Sequence, residues 1–137
     1  MKHFILILLT SLSLLSFSKV SSQDKASITK VLLNGQRIEL TITSSKPFYV
    51  GGNVHILHIG KKDFSLSKQS NLDGKGIITF YIPTEEFNAL PEGEDVWMTY
   101  GDKFKKRTEK RDPAVFCKKN PKVCWFLGKF SKQLSSN

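Results

Sequence analysis

The sequence predicts an all-β protein: a small β-sandwich with a short C-terminal helical appendage. Three observations carry this expectation. Between Ile28 and Tyr100, apolar and polar residues alternate with the two-residue period of strands. Gly and Pro punctuate these runs at short spacing, and beyond Gly101 the composition shifts to basic residues and proline-led apolar clusters.

Ile38, Leu40 and Ile42 alternate with Glu39, Thr41 and Thr43, which describes a strand with one dry and one wet face. Upstream, Ile28 to Leu33 joins it through Asn34-Gly35, a pair that tolerates the positive φ of a type I′ hairpin turn. After Gly51-Gly52, the run Asn53 to Ile59 is apolar on both sides and reads as a central strand. A short strand is expected around Phe64 and Leu66, then an exposed polar loop over Gln69 to Gly76. Ile77 to Ile82 follows and Pro83 closes it, since proline donates nothing to a ladder. Thr84 to Leu90 fits a helical turn with Thr84 as its cap, and Val96, Met98 and Tyr100 belong to a last strand. Six or seven short strands favour a sandwich or small barrel. An immunoglobulin-like sandwich is the first choice, as a statement of architecture only.

The N-terminus has the three-part layout of a secretory signal: Lys2, an apolar run from Phe4 to Phe17, and a polar stretch from Ser18. Serines and a threonine interrupt the run, which falls short of the roughly 20 apolar residues of a membrane-spanning helix. Val20 and Ser22 are small enough for cleavage near Ser22, ahead of Gln23. The expected organisation is a signal peptide over 1–22, a sandwich over 23–101 and a basic segment with two short helices over 102–137, packed on the same domain. A mature chain of about 115 residues suffices for one core. Its expected location is secreted or periplasmic.

The net charge of +9 is unevenly placed. From Gln23 to Tyr100 there are eight Lys and Arg against nine Asp and Glu, whereas from Gly101 onward there are eleven against three. Lys103, Lys105, Lys106, Arg107, Lys110 and Arg111 form a candidate patch for an anionic surface, such as lipid head groups. Asp112-Pro113 and Asn120-Pro121 each present an N-cap followed by proline, so a short helix is expected after each. Cys117 and Cys124 are the only cysteines. On one continuous helix they would lie about 10 Å apart, too far to bond, but Pro121 breaks the helix and makes a structural disulfide reachable.

Recognisable catalytic patterns are few. The mature chain holds two histidines, His55 and His58, which face opposite sides of a regular strand and so do not share a metal. The expectation is one near the core and one at the surface. No G-x-S-x-G elbow or phosphate-cradling glycine motif occurs. Tyr49, Tyr81 and Trp97 form a candidate ligand face if they share the outward side of one sheet. The expected function is a non-catalytic exported module, binding or structural, whose partner is a protein, a glycan or an envelope component. No cofactor is expected, and export disfavours nucleic acid. The alternatives are a small cell-surface hydrolase or inhibitor, and a peripheral membrane binder that uses the basic segment with Trp125, Phe126 and Phe130.

Overall fold

The computed structural model describes residues 25–48, 55–65, 67–100 and 112–135. The strands are β1 (Ala26–Asn34), β2 (Arg37–Ser44), β3 (His55–Ile59), β4 (Lys62–Phe64), β5 (Ser67–Ser70), β6 (Gly76–Pro83), β7 (Asp95–Tyr100) and β8 (Cys124–Lys129). Two short helices accompany them, α1 (Thr84–Asn88) and α2 (Pro113–Lys119). Strands are laid down in pairs on alternating sides, giving one four-stranded sheet of order β1-β2-β6-β5 and another of order β4-β3-β7-β8. All pairings are antiparallel.

Alternation along each strand builds the core between the sheets. Leu40, Ile42, Ile78, Phe80 and Ile82 project from the first sheet and meet Leu57, Ile59, Val96 and Met98 from the second, all fully buried. At about 1.5–3 kcal/mol for each such side chain, this burial is the main stabilising term. Gly76 marks a close approach: a Cβ there would lie 2.7 Å from the Phe48 nitrogen and 2.8 Å from the Lys46 carbonyl oxygen.

Several local expectations are corrected. The β1–β2 hairpin forms, but Asn34 stays in the ladder opposite Arg37 and the turn is Gly35-Gln36. Only Gly35 takes positive φ, the pattern of a type II′ rather than a type I′ turn. The polar stretch read as a loop from Gln69 begins inside β5, which runs Ser67–Ser70, because an edge strand needs only the backbone of β6 and no apolar face. Thr84 does not cap α1: it is the first helical residue, Pro83 occupies the cap position, and no side chain caps the helix.

The largest correction concerns the second expected helix. Asp112 does cap α2, its carboxylate accepting from the Ala114 N–H at 2.9 Å. Asn120, however, closes the end of α2 by donating from its side chain to the Phe116 carbonyl at 3.0 Å. Pro121–Val123 makes one 3-10 turn, and Cys124–Lys129 is then a strand hydrogen-bonded to β7. An aromatic-rich run beside an open strand gains a ladder with β7 and a packed inner face there, which outweighs local helix preference. Within the described residues 112–135, α2 is the appendage and β8 belongs to the second sheet.

The cysteine pairing expected from sequence is present: Cys117 bonds to Cys124 with Cα atoms 5.6 Å apart, tying α2 to the start of β8. Further tail contacts cross the sandwich edge. Ser135 donates its N–H to the Val31 carbonyl at 2.7 Å and accepts from the Val31 N–H through its hydroxyl at 2.8 Å.

Two measurements check this account. Replacing both cysteines with serine should cost about 2 kcal/mol on the chain-entropy model, read as a lower urea midpoint. Gly76→Ala should lower the thermal midpoint by several degrees, because the Lys46–Phe48 backbone must move; an unchanged midpoint would show that the approach is not tight.

Candidate functional site

The second sheet is covered on both sides. Every residue of β3 is buried. His55, Leu57 and Ile59 pair across to Tyr100, Met98 and Val96 on the inner face, while Ile56 and His58 pair with Thr99 and Trp97 on the outer one. On the outer face α2 buries Phe116 and Cys117 against Ile56 and Cys124, with Trp97 and Val123 packed at the margin.

The two histidines thus face opposite sides, but neither is at the surface: both are buried, which corrects that expectation. His58 lies between two partners, Nδ1 at 2.7 Å from Asp63 Oδ1 and Nε2 at 2.8 Å from Thr99 Oγ1. In the tautomer whose Nδ1–H donates to the carboxylate, Nε2 accepts from the Thr99 hydroxyl. An acid, an imidazole and a hydroxyl in that order resemble a nucleophile relay. Thr99 and His58 are fully buried, however, so a substrate could not reach the hydroxyl. Asp63, His58 and Thr99 come from β4, β3 and β7, and the network acts as a polar tie across three strands.

His55 has the opposite environment. It closes one end of the core within an aromatic box: stacked on Tyr100 at 5.4 Å, edge-on to Phe48 at 5.7 Å and tilted to Trp125 at 5.8 Å. Its Nε2 has no hydrogen-bond partner among the described residues. Burial pushes its pKa down to about 4, so the ring is held neutral.

The second sheet's cover is incomplete at its β8 side, and there a groove of about 760 Å³ opens. Trp97, Trp125 and Phe126 line it together with Ala114, Cys117 and Cys124, and the start of β1 forms the opposite wall. Phe126 is 48% exposed and packs against Trp97 at 4.9 Å between ring centres. A register shift in the β7–β8 pairing leaves Phe126 opposite Trp97 on the outer face, while Leu127 turns into the core. The Trp97 indole N–H is buried without an acceptor among the described residues. Lys25 and Lys118 are the charged residues of the lining. A second depression of about 440 Å³ lies by α1, with Lys61 and Lys62 facing Glu85, Glu86 and Glu94.

The expected ligand face is not assembled as one surface. Trp97 is on the outer side of the second sheet, whereas Tyr81 is on the outer side of the first, where the Arg37 guanidinium lies 4.2 Å above its ring. Tyr49 and the basic patch of Lys103, Lys105, Lys106, Arg107, Lys110 and Arg111 lie outside the described residues. The aromatic trio expected to enter a membrane is also separated. Trp125 pairs with inward-facing Met98 and Phe130 is buried against Phe87, leaving Phe126 outward. Among the described residues no group of His, Cys, Asp and Glu is arranged to hold a metal, and no helix is long and apolar enough to cross a membrane. Comparison with protein-family models, curated proteins and solved structures finds no match.

The sequence marks Trp97 for a ligand face, Trp125 and Phe126 for a membrane contact, and Cys117 and Cys124 for a disulfide, but not their meeting in one groove with Lys118 and the start of β1, which depends on β8 being a strand.

His55 gives a pH test. The unfolded chain binds its proton near pH 6.5 and the folded chain only near 4, so stability is fully present above about 6.5 and falls as pH drops toward 4. The expected loss is about 3 kcal/mol. In urea titrations at pH 7 and pH 4, His55→Phe should remove this part of the pH dependence; a variant with the wild-type slope would assign it to other groups.

Proposed function

We propose that the chain is an exported, non-catalytic binding module whose ligand site is the groove between α2 and β8. The observation that carries this reading is the half-exposed Phe126 packed on Trp97 beside a pinned helix, an apolar concavity of small-ligand size on a rigid scaffold. Lys2 with the apolar run from Phe4 to Phe17 supports export, and the Cys117–Cys124 disulfide is compatible with an oxidising compartment. The finer fold assignment that accompanies this reading is immunoglobulin-like. Lettered A, B, C, C′, D, E, F and G in chain order, the strands give sheets A-B-E-D and C′-C-F-G. The bridge joins α2 to strand G instead of B to F, and strand C has no Trp, so the likeness is one of strand order.

Expression of the full chain in a secreting host tests export. The expected product lies outside the cytoplasm, begins at Gln23 and has lost two hydrogens to the disulfide; an uncut chain kept in the cytoplasm would refute it. For binding, tryptophan emission is followed across panels of peptides, oligosaccharides and amphiphiles. At least one class should give a saturable change that Phe126→Ser weakens while circular dichroism stays unchanged. If no class does, the groove is not a binding site.

A further inference from the structure

We infer that the groove takes a single-chain amphiphile with an anionic head, of which a free fatty-acid anion is the simplest form. The inference rests on the binding reading above and names its ligand. Size is the first argument: about 760 Å³ falls within the range of roughly 300–1,000 Å³ typical of small-ligand sites.

Lining chemistry is the second. Among the described residues, and apart from the indoles, the polar side chains of the groove are those of Ser27, Lys25 and Lys118, with no Asn, Gln, Asp, Glu or Arg in the lining. An oligosaccharide would bring ring hydroxyls against a wall with few side chains to receive them, and each one buried unpaired costs about 1–3 kcal/mol. An alkyl chain asks for no hydrogen bond and gains from covering the half-exposed Phe126.

Charge is the third argument. Both charged lining residues are cationic, whereas the depression by α1 sets lysines against glutamates and offers no single sign. Lys25 and Lys118 supply the positive charge that attracts a carboxylate or phosphate head, and the tail covers Phe126 and Trp97. Because Trp97 and Trp125 are the only tryptophans of the chain and both line the groove, occupancy is read directly from intrinsic fluorescence.

The experiment titrates the oxidised mature protein with decanoate, dodecanoate and tetradecanoate below their micellar concentrations, beside dodecanol, dodecyltrimethylammonium, phosphatidylglycerol vesicles, acidic oligosaccharides and acidic peptides. Saturable emission changes are expected, with affinity rising about threefold per added methylene. Dodecyltrimethylammonium should bind at least about tenfold more weakly than dodecanoate. Lys118→Glu should weaken dodecanoate about tenfold and leave dodecanol unchanged, whereas Phe126→Ser should weaken both. Equal binding of the three head groups, no saturable response to the fatty acids, or a response confined to phosphatidylglycerol vesicles would overturn the inference. In those cases a Phe126-dependent signal from acidic oligosaccharides or acidic peptides leaves the binding module standing with another ligand. Silence from every probe removes both readings.

Discussion

The structure turns on a sheet that is apolar on both faces. β3 is buried along its whole length, so covering its inner side with the first sheet satisfies only half of it. Leaving Ile56 and Trp97 in water would forfeit burial worth about 25 cal/mol per Å². A seven-residue helix is too short to hold a fixed position by its own backbone hydrogen bonds, and the Cys117–Cys124 bridge supplies the restraint. The cover reaches Ile56 and Cys124 but stops short of Phe126. The groove is the uncovered remainder of a sheet that needed two covers.

The same sheet treats its two histidines in opposite ways. His58 points outward under a cap, but both ring nitrogens have partners on neighbouring strands, so its burial leaves no orphaned donor or acceptor. His55 points inward among aromatic rings and is accommodated by staying neutral. Trp125 joins these environments to the groove, since one face of its position meets the His55 box and it also lines the groove. A ligand above Trp125 would therefore rest on the best-packed end of the core, not on a loop.

Edge control completes the scaffold. β1 and β8 are the outermost strands on the same side of the sandwich, and exposed ladders there would invite pairing with other chains. The C-terminal segment occupies part of that margin: Phe130 bonds to the Glu94 carbonyl, Ser135 to Val31, and Lys132 reaches the Asn88 carbonyl. These contacts join residues far apart in sequence and bring the tail, the β1 edge and α1 into one body.

The local alphabet alone determined β2 and β6, because a period of two with one buried face leaves little choice of register, and it marked β1, β3 and β7 through their apolar runs and flanking turn residues. It also determined the Asp112 cap and the reach of the Cys117–Cys124 pair, both set by short-range geometry. Tertiary structure decided the rest. Val123 to Leu127 satisfies a helix or a strand equally well in isolation, and only the open side of β7 selected the strand. β5 has no apolar signature and exists because β6 offers it a ladder. The groove could not be read from residues at all: its walls come from the start of β1, from α2 and from β8, and no local pattern records which distant surfaces a sheet with two dry faces will recruit.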